Sequence, residues 1–223
     1  MPLHSGRLCI SGEDKQKQKH QRRIRAAKAW ITDLDGTLTI LEIDWEHIRG
    51  IVRTMLNTDH PLRPLAMSIP SATEDPILRK RAHEYIAQAE LEAATKKQRD
   101  EKLVSLVRSM RMEGLKLGVV THQAKAPARL TLERLGVLNY FEVIVSREDA
   151  LERGEQIGLA ADALGVKPHE VIFTGDSPWD IEAGKRLGCF TVCVGADHPE
   201  ADACIRSISE LQSLIGSCAH GVE

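Results

Sequence analysis

Five short apolar runs punctuate the chain: Ala27–Thr32 (AKAWIT), Leu115–Thr121 (LKLGVVT), Phe141–Ser146 (FEVIVS), Val171–Thr174 (VIFT) and Cys189–Val194 (CFTVCV). Each has the length of a strand, and turn-forming residues bound most of them, Gly36-Thr37 after the first and Gly175-Asp176-Ser177-Pro178 after the fourth. Such runs predict buried strands. Between them the apolar positions return at helical spacing over Ala126–Leu135, Gln156–Leu164 and Trp179–Leu187. Gly136, Gly165 and Gly188 lie just past these helices, where a left-handed cap is wanted. Strands alternating with helices of this length demand parallel pairing, hence a three-layer α/β/α sandwich around a central parallel sheet.

Residues 44–106 break that rhythm. Asp44 is placed to cap a helix whose apolar side is Trp45, Ile48, Val52 and Met55. A linker holding Pro61, Pro64 and Pro70 follows, then helical patterns over about 75–95 and 98–112. With no strand to pair with before Leu115, these helices are expected to form a small inserted cap, the last of them rejoining the core. The expected domains are a basic, disordered leader over 1–26, a core of 27–43 with 107–223, and the helical cap over 44–106.

Composition narrows the class without naming a chemistry. The 223 residues are 42% apolar and 28% charged, the balance of a soluble globular chain. No apolar run approaches the roughly 18 residues of a membrane span. Residues 1–28 hold eight Lys/Arg against Glu13 and Asp14, so the rest of the chain is acidic. That leader reads as a solvated segment rather than a nucleic-acid arm, and it lacks the apolar stretch of a secretory signal. A cytoplasmic location is expected, with no membrane or nucleic-acid partner, as a monomer or homodimer. The cysteines (Cys9, Cys189, Cys193, Cys204, Cys218) form no metal-binding spacing and read as reduced, mostly structural thiols.

The chemistry gathers at strand ends. In open parallel sheets, ligands bind beyond the carboxyl ends of the strands. The first strand delivers Asp33 and Asp35, the second Thr121-His122-Gln123, and the fourth Asp176-Ser177 with Asp180. Carboxylates brought together after apolar strands need a positive partner. A hard divalent cation such as Mg²⁺ with a phosphorylated substrate supplies one. Two carboxylates at i and i+2 suit a two-step transfer, with Asp33 as nucleophile and Asp35 as acid and then base.

Together, Asp33-Leu34-Asp35-Gly36-Thr37 and Gly175-Asp176-Ser177-Pro178-Trp179-Asp180 resemble the haloacid dehalogenase-like hydrolase superfamily, over about residues 29–200. The position of the insert is similar to that in its phosphoglycolate phosphatase-like branch. The resemblance implies a Rossmann-like core and Mg²⁺ held by Asp33, the Asp35 carbonyl, Asp176 and Asp180. It also implies phosphoryl and substrate contacts from Gly36, Thr37, Thr121 and His122. The expected function is a Mg²⁺-dependent phosphatase for a small phosphorylated metabolite, 2-phosphoglycolate being a candidate, through an aspartyl-phosphate. Gly175, where β-phosphoglucomutases carry Glu, counts against a mutase, and Asp35 counts against a dehalogenase.

One motif departs from the family pattern. The Lys expected ahead of the helix preceding the fourth strand is missing from 146–156, where Arg153 is the best positional substitute and Lys125 a weaker one. The alternative expectation is therefore a catalytically weak relative that senses a phosphorylated ligand or a protein. Arg49, Arg53 and Arg63 in the insert are candidate contacts for a substrate carboxylate.

Overall fold

The computed structural model describes residues 12–216. In chain order the elements are α1 (Gly12–Arg25), β1 (Ala29–Thr32), α2 (Trp45–Leu56), α3 (Leu65–Ala72), α4 (Pro76–Thr95) and α5 (Glu101–Met112). There follow β2 (Lys116–Val120), α6 (Lys125–Leu135), β3 (Val143–Val145), α7 (Arg153–Leu164), β4 (Val171–Gly175), α8 (Pro178–Leu187), β5 (Phe190–Val194), β6 (Ala203–Ile205) and α9 (Leu211–Gly216).

The strands form one sheet in the order β3-β2-β1-β4-β5-β6, and every pairing is parallel. β1 sits between β2 and β4, with Thr32 abreast of both Val119 and Thr174. Alternation along the strands splits the core in two. Trp30, Leu117, Val119, Ile172, Phe190 and Val192 face one helical layer that includes α5 and α6. Ala29, Ile31, Val120, Val171 and Phe173 face the other, supplied by α7 and α8. This is the expected Rossmann-like sandwich, and the three predicted helix ends fall on left-handed glycines at 136, 165 and 188.

Helices α2, α3 and α4 pack around their own cluster, including Ile48, Val52, Leu56, Leu62, Ile69 and Ile86. α3 occupies what the prolines made look like a linker: Pro64 precedes its first turn and Pro70 falls in its last turns. Helix α5, the last of the helical patterns between the first two strands, packs on the sheet through Leu103, Val104, Leu106, Val107 and Met110.

Two further departures concern the ends. Residues 12–25, part of the expected disordered leader, form α1. Ile24 is buried in the sheet's core, and Arg23 binds Asp202 at 2.9 Å and the Gly188 carbonyl at 2.8 Å. One apolar anchor and one guanidinium dock a segment whose mean composition is polar. β6 was not foreseen, because a three-residue edge strand carries too little apolar pattern to register. Cys189 and Cys193 are buried thiols and Cys204 is exposed, while Cys9 and Cys218 lie outside the described residues.

Candidate active site

The loops at the carboxyl ends of β1, β2 and β4 meet because those three strands are neighbours at the centre of the sheet. Asp33 follows β1 directly, and its amide donates to the Thr174 carbonyl at 2.9 Å, prolonging the β1–β4 ladder by one residue. Trp30 Nε1 donates to Thr174 Oγ1 at 3.0 Å, tying the same two strands from inside the core. The chain then turns tightly, with the Gly36 amide bonded to the Thr39 carbonyl. Gly36 adopts φ +88°, and a Cβ there would lie 2.2 Å from Asp176 Oδ2. Glycine is needed both for the turn and for the close approach of two strand ends.

Asp176 follows β4, and Ser177 caps α8 through a reciprocal bond with Asp180, Pro178 opening the helix as expected. Carboxylate oxygens of Asp33, Asp176 and Asp180 all lie within 4.8 Å of one another. Burial, and then the charges of Asp180, Asp176 and Asp35, push Asp33 well above the usual carboxylate range against the pull of Arg153. Burial and neighbouring Asp180 lift Asp176 to about 6. Asp35 turns its Oδ1 to the Leu41 amide at 2.6 Å, and burial raises its pKa as well.

Arg153 lies at the centre of this group. Its Nη2 donates to Asp33 Oδ1 at 2.8 Å, and its Nε stands 2.7 Å from Asp180 Oδ1. Nη1 donates to Gln156 Oε1 at 2.8 Å. Gln156 in turn donates through Nε2 to the Thr121 and Ala150 carbonyls. The first turn of α7 thus delivers a buried cation into the acidic cluster, in contact with two of its three carboxylates. Lys125, the weaker substitute, pairs with Asp149 at 2.8 Å and lies outside the cluster.

Thr121 is buried, and its Oγ1 accepts from the Gln123 amide. Thr37 is buried with no hydrogen-bond partner for its hydroxyl and, like Gly36, does not line the cavity above the carboxylates. His122 borders the same cavity, but its Nε2 bonds the Leu151 carbonyl at 3.1 Å. Burial, assisted by Arg153, pushes its pKa down to about 4.

A cavity of about 630 Å³ opens over these groups. The insert contributes Trp45, Arg49 and Arg63 to its wall, and Trp179 closes another side. Arg49 and Arg63 share Glu46, at 2.6 and 2.5 Å. Arg53 is engaged by the His60 and Pro61 carbonyls instead and does not line the cavity.

Sequence reasoning missed Gln156, which orients Arg153, and the buried pair Glu90–Arg147 at 2.6 Å. A signal for Glu90 was present: it lies on the buried side of α4 with Ala82, Ile86, Ala93 and Ala94. A charge on an apolar stripe calls for a buried partner.

Residues 58–194 match the family profile of haloacid dehalogenase-like hydrolases. A phosphoglycolate phosphatase of Shigella dysenteriae is 25% identical over 227 residues, 97% of this chain and 83% of that protein. An uncharacterised hydrolase of Saccharomyces cerevisiae, YOR131C, is 27% identical over 210 residues, 86% of this chain and 92% of that one. Among solved structures, a β-phosphoglucomutase from Clostridium difficile superposes with a TM-score of 0.68, covering 86% of this chain and 96% of its own. At 18% identity that likeness is one of fold. A profile that spans more than half of the sequence, together with the geometry at the ends of β1 and β4, places this chain in the haloacid dehalogenase-like hydrolase family.

Proposed function

We propose that the protein is a Mg²⁺-dependent phosphomonoesterase that hydrolyses a small phosphorylated metabolite through an aspartyl-phosphate. The observation that carries this reading is the contact of Arg153 with Asp33 and Asp180 beside Asp176. It puts a fixed positive charge where the family pattern has Lys, and so weakens the alternative of an inactive sensor.

The donor set fits a hard cation. Asp33, Asp176 and Asp180 offer only carboxylate oxygens, and burial, then their mutual crowding, raises the first two pKa values. Oxygen donors of this kind suit Mg²⁺, which, when bound, supplies charge to offset the carboxylates and the phosphoryl oxygens.

Asp33 attacks phosphorus, forming an Oδ–P bond as the ester P–O bond breaks. Asp35, kept protonated more readily by its burial, gives its proton to the departing oxygen. In the second step Asp35 takes a proton from water as that water attacks phosphorus, and Asp33 and inorganic phosphate are released. Arg153 holds Asp33 Oδ1 in place and balances charge on the transferring group, while Thr121 at the cavity wall faces its oxygens.

Helices α2–α4 serve as the cap over the cavity, whose volume suits a metabolite rather than a polymer. The two arginines at its wall favour a substrate with a second anionic group, as in 2-phosphoglycolate. No helix of the described residues is long and apolar enough to cross a membrane, in keeping with a cytoplasmic enzyme.

The test is phosphate release by the purified protein across a panel of phosphorylated metabolites, with Mg²⁺ and then with chelator. Metal-dependent turnover of one compound far above the rest is expected. Silence across the panel while Mg²⁺ still binds would overturn the reading.

A further inference from the structure

Glu90 and Arg147 form an ion pair between α4 of the insert and the segment that leads into α7, and both are almost wholly buried. Glu90 comes from the second half of α4. Arg147 lies in the loop between β3 and α7. Their contacts converge on the backbone of residues 121–124.

Arg147 Nη1 donates both to Glu90 Oε1 at 2.6 Å and to the His122 carbonyl at 2.8 Å. Its own amide donates to the Gln123 carbonyl at 3.2 Å. Glu90 Oε2 accepts from the Ala124 amide at 3.0 Å. That last bond satisfies a donor at the start of α6, whose N-cap residue Ala124 has no capping side chain of its own. His122 and Ala124 are therefore fixed by two charged side chains, one of them carried in by α4, and Gln123 between them by the backbone amide of Arg147.

We infer that Glu90 and Arg147 are positioning residues, a charged clamp through which helix α4 sets the conformation of the Thr121–Ala124 loop and so of its phosphoryl-binding atoms. The clamp explains why two charges are buried here. Replacing a buried ion pair by apolar residues of similar volume is often neutral or stabilising, so stability alone does not call for it. Hydrogen bonds to backbone carbonyls and amides are what an apolar pair cannot supply. The inference rests on the phosphatase reading for its kinetic consequence, but the clamp itself is a property of the loop and is measurable without turnover.

The decisive variant is the double substitution Glu90→Leu with Arg147→Met, set beside Glu90→Gln. A carboxamide has one acceptor oxygen where the Glu90 carboxylate serves two donors, so Glu90→Gln loses one arm and leaves Arg147 short of a counter-charge. Its melting temperature falls. The double variant recovers thermal stability, yet kcat and kcat/KM stay down together by about 100-fold, the scale of a misplaced reacting geometry. Amide hydrogen exchange in a peptide spanning 121–124 is faster in both variants than in the parent.

Recovery of both stability and full kcat in the double variant would show a purely structural pair and overturn the inference. So would exchange at 121–124 that matches the parent. If the parent releases no phosphate from any substrate, the phosphatase reading falls, and the exchange measurement alone decides the clamp. If the double variant does not fold, the kcat and exchange of Glu90→Gln decide it.

Discussion

Arg153 Nη2 donates to Asp33 Oδ1 at 2.8 Å with both side chains almost wholly out of water. The guanidinium forks, so the same residue also reaches Asp180. An ammonium on a flexible stem is a point charge and lacks that planar reach. Arg153→Ala should lower kcat by about 10²–10³-fold, the scale for removing one preorganised donor. Arg153→Lys should retain more activity than Arg153→Ala but less than the parent. Steady-state kinetics on the preferred substrate decides; an alanine variant with parental kcat would remove Arg153 from the chemistry.

The crowded carboxylates make a prediction about stability. Without metal, Asp176 has a folded pKa of about 6 against an ordinary 3.8. Between those values the native protein holds a proton that the unfolded chain has released. The share of stability that depends on Asp176 in the metal-free protein therefore falls as pH rises from about 4 to about 6, read as the difference between the parent and Asp176→Asn. Mg²⁺ at a hundred times its dissociation constant should add about 2.7 kcal/mol and flatten that slope. Urea unfolding with and without Mg²⁺ tests both points, and Asp176→Asn should abolish the Mg²⁺-induced gain.

Gly36→Ala should separate folding from function. The added methyl would meet the Asp176 carboxylate at 2.2 Å in a backbone conformation of φ +88°. Gly36 is itself only partly buried and the methyl meets a carboxylate rather than an apolar side chain, so the protein should still fold. Calorimetric titration should show Mg²⁺ affinity reduced by tenfold or more. Unchanged affinity would mean that Asp176 moves aside freely.

His122 should remain neutral well below the usual imidazole pKa, since burial and Arg153 push it down to about 4. As pH falls from 6.5 toward that value the unfolded chain takes up a proton that the native ring refuses, so the contribution of His122 to stability drops on acidification, read as the difference between the parent and His122→Asn. Its ring resonances should show no titration near pH 6.5. A midpoint there would mean an exposed ring and a direct part for His122 in proton transfer.

The sheet was legible because a strand buried on both faces is an uninterrupted apolar run, as in VIFT at Val171–Thr174. The helix ends were legible because Gly136, Gly165 and Gly188 mark them chemically. What escaped depended on partners distant in the chain. α1 is polar in composition and is held by Ile24 and by Arg23 reaching Asp202, neither of which a local window reveals. α3 was obscured by its own prolines: Pro64 falls before the first turn, where a helix tolerates it, but Pro70 lies inside the helix, where it has no amide to donate. At the site, Asp33, Asp35, Asp176 and Asp180 were readable as strand-end carboxylates, but the fit of Arg153 between two of them was not. Spacing brings a residue to the right loop; only packing shows what its side chain holds. The Glu90–Arg147 pair was harder still, since its two halves belong to different parts of the fold.

The central place of β1 also bears on how the chain is made. Ala29–Thr32 has no sheet partner until Lys116–Val119 has been synthesised, and no second one until Val171–Thr174. Pairings this far apart slow folding, and an unpaired apolar strand is open to association with other chains while it waits. Asp33 is among the first of the site residues to leave the ribosome, and Asp176 and Asp180 are among the last. A nascent chain carries Asp33 long before it carries the carboxylates opposite, so whatever chemistry this cleft performs begins only after β4 and the first turn of α8 have been made.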